Sequence, residues 1–173
     1  MRQTPLRIIG IDPGYAIVGY GVVDYLANRF APVNFGAICT PAGMGFSERL
    51  ELIYRELDAL LARFSPQAMA VEKLFFTTNQ KTAIDVAQAR GVILLCARLH
   101  GVEIAEYTPL QVKSSVVGYG KAEKLQVMQM TKSILGLSRT PKPDDTADAL
   151  AVAICHGHTA GSALSRLNLQ KSR

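Results

Sequence analysis

The fold is decided near the start of the chain by the stretch Arg7-Ile8-Ile9-Gly10-Ile11-Asp12-Pro13-Gly14. Its apolar part, Ile8 to Asp12, is typical of a buried strand, and the Asp-Pro-Gly that ends it is a strong turn signal. The turn leads into a second strand near Ile17 to Tyr25, and a third strand follows within Phe30 to Cys39. Because short turns join these strands, the pattern predicts an antiparallel unit of three strands that begins with a β-hairpin.

Helical and extended patterns alternate after this unit. A helix beginning near Ser47 ends before Pro66, and a short apolar strand, Gln67 to Val71, ends at Glu72. We predict a helix at about 80–99, a strand at 102–107, and helices at about 109–118, 122–135 and 144–155. The last two strands arrive through helical crossovers, so they should lie parallel in the same sheet. The predicted fold class is therefore α/β, a mixed five-stranded sheet with three antiparallel and two parallel strands, flanked by helices.

Length and composition limit the class of protein. At about 100 to 200 residues per domain, a chain of 173 residues predicts one domain, and 49% hydrophobic residues suffice for a core and argue against a disordered chain. No apolar run approaches the roughly 20 residues that a membrane span needs. The N-terminus leaves no room for a signal peptide before the first strand, so we expect a cytoplasmic protein. Three scattered cysteines without a Cys-x-x-Cys pair suggest neither a disulfide framework nor a structural zinc site.

The positive charge is concentrated in one part of the sequence. The net charge of +5 comes from 19 basic and 14 acidic residues. Between Gln111 and Lys142, the only acidic residue is Glu123, whereas the basic residues are Lys113, Lys121, Lys124, Lys132, Arg139 and Lys142. A segment of this kind can follow a phosphate backbone, although a solvated surface gives the same pattern.

Four carboxylates stand where acidic residues are unusual. Asp12 and Glu72 each follow an apolar strand, and Asp145 and Asp148 lie near the start of an apolar helix. Each has an ordinary explanation as a turn residue, a strand end or a helix-capping acid. Asp148 is harder to explain in this way, because it lies on the same side of the helix as Asp145, about 5 to 6 Å away. A cation would relieve that repulsion.

The predicted strand order brings these four carboxylates together. If the first strand is central, the strand that ends at Glu72 is its neighbour, and the last helix packs alongside. Carboxylate oxygens without nearby cysteine or histidine are the ligands preferred by Mg²⁺ and Mn²⁺. Two such ions about 3.5 to 4 Å apart can activate a water and stabilise the leaving oxygen of a phosphodiester. The residues thus indicate metal-dependent hydrolysis of nucleic acid.

The order of short motifs resembles that of a known family. The motifs are Ile9-Gly10-Ile11-Asp12-Pro13-Gly14 with Gly19-Tyr20-Gly21, Val71-Glu72-Lys73-Leu74-Phe75-Phe76, Gln88-Ala89-Arg90-Gly91-Val92, Gln111-Val112-Lys113 with Val116-Val117-Gly118, Ala122-Glu123-Lys124, and Asp145-Thr146-Ala147-Asp148-Ala149-Leu150-Ala151. From about Arg7 to His158 the sequence looks like RuvC, a family of crossover junction endodeoxyribonucleases with the ribonuclease H-like fold. The resemblance implies one ribonuclease H-like nuclease domain at 1–158, and we expect 159–173 to be a basic, flexible tail.

The resemblance also implies the roles of individual residues. The metal-binding catalytic carboxylates would be Asp12, Glu72, Asp145 and Asp148, holding two Mg²⁺ ions per active site, with Mn²⁺ able to substitute. The DNA-binding residues would be Lys113 and Lys124 at phosphates near the cleaved bond, Phe75 stacked on unpaired bases, and Lys121, which we add from the same basic segment. One departure from the family pattern is Asp144, an extra acid beside Asp145.

The activity implied by the resemblance is resolution of four-way (Holliday) DNA junctions in recombination and repair. RuvC proteins act as homodimers that nick two strands of like polarity symmetrically, and they work with the RuvA and RuvB branch-migration proteins. Three alternatives remain at this stage. They are another ribonuclease H-like nuclease acting on RNA or RNA–DNA hybrid, a sugar-kinase-like ATP-binding domain suggested by Gly10 to Gly14, and a junction-binding module without catalysis. The length argues against the second, because such kinases need two lobes, and the complete acidic set argues against the third.

Overall fold

The structure is a computed structural model that describes residues 4–74 and 80–171, with side chains described at 4–74 and 82–162. Its strands are β1 Leu6–Asp12, β2 Ile17–Leu26, β3 Arg29–Cys39, β4 Ala68–Glu72 and β5 Glu103–Tyr107. Its helices are α1 Phe46–Phe64, α2 Gln80–Leu99, α3 Pro109–Val117, α4 Lys124–Ile134 and α5 Asp144–Lys171. None of the helices in the described ranges combines the length and apolar character needed to cross a bilayer.

The five strands form one sheet in the order β3-β2-β1-β4-β5. The pairs β1–β2 and β2–β3 are antiparallel, whereas β1–β4 and β4–β5 are parallel, so the predicted mixed sheet is confirmed. β1 is central, and Ile8, Ile9 and Ile11 on it are fully buried. Such continuous burial is expected where helices cover both faces of a sheet.

Two cores lie on opposite faces of the sheet because successive strand residues point to opposite sides. Ile9 and Ile11 pack with α1 and α2, including Ile53 of α1 and Ile93 of α2. Ile8 faces the other way and packs with residues of α3, α4 and α5. The layers are therefore α1 and α2, the sheet, and then α3 to α5.

The last helix is longer than the sequence predicted. We placed its end near Cys155, but α5 continues to Lys171, so the predicted boundary between the domain and the tail falls inside a helix. Gly157 does not end the helix. A Cβ at this position would lie 2.4 Å from Cε1 of Phe30, so the glycine permits close packing of α5 on β3. Whether 159–173 is flexible stays a prediction.

Two glycines set how closely α5 approaches the sheet. A Cβ on Gly10 would lie 2.0 Å from the carbonyl oxygen of Ala149, and one on Gly19 would lie 2.0 Å from that of Asp145. No side chain fits at either distance, so only glycine allows this contact. The N-terminal turns of α5 consequently lie directly on β1 and β2.

Candidate active site

The first two predicted acids leave the sheet side by side. In the parallel pairing of β1 with β4, Ile11 lies opposite Val71, so Asp12 and Glu72 are the next residues on adjacent strands. Strand alternation puts both on the same face as Gly10, which contacts α5. Asp12 and Glu72 are each half-buried at this edge. The sheet thus directs two neighbouring carboxylates towards the start of α5.

The other two acids come from the first turns of α5. Asp145 is held there by its backbone contact with Gly19, and Gly19 is the β2 residue paired with Asp12. Asp148 lies one turn further along α5 and lines the same cavity as Glu72. The fold therefore gathers all four predicted acids at the carboxyl end of the central strands.

The electrostatics of Asp12 reflect this gathering. Burial, followed by repulsion from Asp148, Glu72 and Asp145, raises the pKa of Asp12 to about 7, while Lys124 opposes the shift. Burial also raises the pKa of Glu72, together with repulsion from Asp148. Carboxylates that repel one another in a half-buried site have the chemistry of a divalent cation site, because a cation removes the repulsion.

Lys124 partly neutralises the acids. Its Nζ lies 2.9 Å from Oδ2 of Asp148 and 3.8 Å from Oδ2 of Asp144. The hydrogen bond to Asp148 is the main reason why the pKa of Lys124 is raised. This ammonium group thus lies against one of the proposed metal ligands.

The two adjacent acids Asp144 and Asp145 differ in their surroundings. Asp144 accepts a hydrogen bond of 2.8 Å from Nζ of Lys142, which is the main reason why its pKa is lowered. Asp145, by contrast, is one of the carboxylates that raise the pKa of Asp12. Of the pair, Asp145 is the one whose charge acts on Asp12, whereas Asp144 pairs with Lys142 and lies 3.8 Å from Lys124.

A cavity of about 240 Å³ opens beside these acids. Its lining residues are Glu72, Pro109, Val112, Lys113, Lys124, Val127, Asp148 and Ala151. The wall of the cavity thus combines two carboxylates and two lysines with apolar side chains from α3, α4 and α5. A phosphodiester suits this composition, because the lysines attract its charge and the acids could hold cations that would stabilise it.

Among the described residues, the lining of this cavity includes two of the predicted DNA-binding residues, Lys113 and Lys124. Lys121 is exposed in the loop between α3 and α4 and does not belong to the described lining. Phe75 lies outside the described residues. The geometry therefore supports Lys113 and Lys124 at the centre and leaves the other two as predictions.

The four acids are near one another but not drawn tightly together. Among the described residues, the group with three ligand atoms all within 4.8 Å of one another is a different one, Asp58, Cys96 and His100. One of the four, Asp148, is paired with Lys124, whose Nζ lies 2.9 Å from its Oδ2.

Arg49, which was not among the predicted site residues, stabilises the turn after Asp12. Its guanidinium is buried, donates a 2.8 Å hydrogen bond to Oγ1 of Thr40, and lies 4.7 Å from the ring centroid of Tyr15. The Thr40 hydroxyl in turn donates to the carbonyl oxygen of Tyr15. The available signal was an arginine on the apolar face of α1, four residues before Ile53.

Comparison with known proteins agrees with this geometry. The family model described as crossover junction endodeoxyribonuclease RuvC matches residues 8–156. The crossover junction endodeoxyribonuclease RuvC of Alkaliphilus oremlandii is 59% identical over 152 residues, which cover 88% of this chain and 93% of that protein. No comparison favours a nuclease that acts on RNA.

Solved structures give the same result. Thermus thermophilus RuvC in complex with Holliday junction substrate superposes with a TM-score of 0.85 at 36% identity, covering 90% of this chain and 94% of that one. The yeast mitochondrial Holliday junction resolvase Ydc2 shares the fold, with a TM-score of 0.73 at 16% identity over 99% of this chain and 86% of that one. With its ribonuclease H-like sheet, its acidic centre and these matches, the chain belongs to the RuvC family of crossover junction endodeoxyribonucleases.

Proposed function

We propose that this protein resolves four-way (Holliday) DNA junctions by metal-dependent, symmetric hydrolysis of phosphodiester bonds during recombination and repair. The observation that carries the proposal is the convergence of Asp12, Glu72, Asp145 and Asp148 beside a cavity that two lysines also line. The family membership and the likeness to a relative solved with junction DNA support the choice of substrate.

The four carboxylates would hold two Mg²⁺ ions, with Mn²⁺ able to substitute. Such ions, when bound, supply activation of a water and stabilisation of the leaving oxygen. Asp12 would lose its proton on binding them, because cations favour the charged form of the carboxyl group. Glu72 and Asp148 form the wall of the cavity and would fix the position of the ions relative to the scissile phosphate.

Lys113 and Lys124 would bind the phosphate groups around the cleaved bond. Lys124 also pairs with Asp148, since its Nζ lies 2.9 Å from Oδ2 of that carboxylate. Its ammonium group therefore lies between the acidic centre and the surface where the DNA would bind. Lys121 would contact the backbone further out, and Phe75 would stack on unpaired bases at the branch point.

Symmetric cleavage requires two active sites, so we propose a homodimer. A large exposed apolar face on α2 supports it, since Ile84, Leu95 and Leu99 are 65%, 57% and 66% exposed. Their spacing places them on one side of the helix, with Gly91 between them facing open space. A second copy of α2 would bury this face. RuvA and RuvB are the proposed partners by family resemblance, and the cytoplasm is the proposed location.

The decisive experiment is cleavage of a synthetic four-way junction in Mg²⁺, with nicks mapped on all four strands. We expect paired nicks at symmetric positions on two strands of like polarity. An RNA–DNA hybrid tested in parallel should remain intact. Preferential cutting of the hybrid, or nicks without symmetry, would contradict the proposal.

A further inference from the structure

A second group of potential metal ligands lies where α1 packs against α2. Asp58 comes from α1, Cys96 from α2, and His100 follows directly after α2. Nε2 of His100 lies 2.7 Å from Oδ1 of Asp58, and one ligand atom from each of the three residues lies within 4.8 Å of the others. This group is on the sheet face opposite to α5, so it is separate from the acidic centre.

The three side chains have the composition of a zinc site. A thiolate, an imidazole and a carboxylate are all ligands of Zn²⁺, whereas Mg²⁺ prefers oxygen alone. Cys96 and His100 are four residues apart, so they project from one side of the last turn of α2. Asp58 approaches from the neighbouring helix. The sequence predicts no structural zinc site, because its three cysteines are scattered and lack a Cys-x-x-Cys pair.

Burial and geometry fit an ion with three protein ligands and one open position. Cys96 is completely buried, and in the described part of the chain its thiol makes no hydrogen bond. The side chains of Asp58 and His100 are 46% and 25% exposed, so they reach solvent and can turn. Tetrahedral zinc places its ligand atoms about 3.3 to 3.8 Å apart. A longer distance than the present 2.7 Å between Asp58 and His100, and a thiol of Cys96 closer to both, would give this spacing.

We propose that Asp58, Cys96 and His100 bind one thiophilic divalent ion of the Zn²⁺ class. The ion links the C-terminal end of α2 to α1 and leaves a position for water. Burial and the Asp58 carboxylate raise the pKa of the Cys96 thiol to about 11, so the ion displaces a thiol proton when it binds. The competing explanation is an Asp–His ion pair next to a cysteine that only fills the core.

Co²⁺ titration of the reduced, metal-free full-length protein distinguishes the two explanations, because cobalt bound to a thiolate gives a near-ultraviolet charge-transfer band. Co²⁺ at the catalytic carboxylates gives no such band, since they offer only oxygen ligands. We expect the band to saturate at one equivalent and to disappear in Cys96→Ser. The matched control is Cys155→Ser, since Cys155 is also buried but packs in the other layer. It should keep the band.

A second variant protects the test against a folding defect in Cys96→Ser. His100→Asn changes a side chain that reaches the surface, and it should weaken Co²⁺ binding at this site by at least about tenfold. Added Zn²⁺ should also raise the Tm of the parental protein and not that of His100→Asn. Absence of the band in the parental protein, its survival in Cys96→Ser, or equal binding by His100→Asn would overturn the proposal. Junction cleavage is not the readout, so failure here leaves the proposed nuclease function intact.

Discussion

Replacing Asp12 by asparagine should stabilise the cation-free protein while it abolishes cleavage. Burial and three neighbouring carboxylates raise the pKa of Asp12 from 3.8 to about 7 in the folded state. The folded protein therefore holds this proton more tightly than the unfolded chain does. Stability is lost as the pH rises from about 4 to about 7, and the full loss is present above pH 7. Asparagine has no charge to desolvate, so the variant avoids that loss.

The magnitude follows from the shift in the pKa. At about 1.36 kcal/mol per pKa unit, the difference between 3.8 and about 7 means that ionised Asp12 destabilises the fold by at most about 4 kcal/mol. Water reaches the half-buried carboxylate and screens its neighbours, so we expect about 1 to 2 kcal/mol in favour of Asp12→Asn at pH 8. At pH 4 both the folded parental protein and the variant are uncharged at this position, and the difference should be close to zero.

Urea unfolding in EDTA at pH 4 and pH 8 measures both values. Glu51→Gln is a suitable control, because it makes the same chemical change at an exposed carboxylate on α1. With Mg²⁺ at pH 8 the order should reverse, since the parental protein gains the free energy of ion binding and the variant does not. The reasoning is refuted if Asp12→Asn is no more stable than the parental protein at pH 8 in EDTA, or if its advantage is the same at both pH values.

Further predictions concern neighbouring features. Lys124→Ala should lower the free energy of unfolding in EDTA by roughly 0.5 to 1 kcal/mol, because it leaves the acids unneutralised; an equal loss in Lys121→Ala would show that the ion pair contributes nothing. Gly19→Ala should cost about 1 to 3 kcal/mol in thermal unfolding and also slow cleavage, because its Cβ displaces the start of α5; normal stability and rate would contradict the contact. Lys113→Ala should weaken junction binding in Ca²⁺ and reduce the salt slope by about 1, as measured by filter binding; an unchanged slope removes this lysine from the interface. Leu95→Glu should dissociate the proposed dimer in sedimentation experiments, and a dimer that persists would contradict an interface on α2.

Local patterns were enough to predict the mixed sheet and to predict that the four acids lie close together. Asp12 and Glu72 each end an apolar strand, and the expectation that they meet rested on a central β1, which the observed strand order confirms. Asp145 and Asp148 stood out because two like charges on an apolar helix demand a counter-charge. Lys124 was predicted to bind phosphate, but its contact with Asp148 depends on how α4 docks beside α5.

The features that sequence analysis missed depend on contacts between residues far apart in the chain. Gly157 has the appearance of a helix stop until Phe30 of β3 is seen to occupy the space where its side chain would be. The bracing role of Arg49 is recognisable only through Tyr15 and Thr40, which lie in two different loops. Composition and periodicity carry no information about such pairings, so only the folded chain reveals them.

The proposed ligands are far apart along the chain, since Asp12 and Glu72 end β1 and β4 whereas Asp145 and Asp148 lie in α5. A ribosome that has released the chain only as far as β5 has exposed Asp12 and Glu72 but neither acid of the final helix. A stalled or clipped product that stops before Asp144 likewise carries half of the acidic set. Such incomplete copies therefore cannot assemble the proposed metal centre.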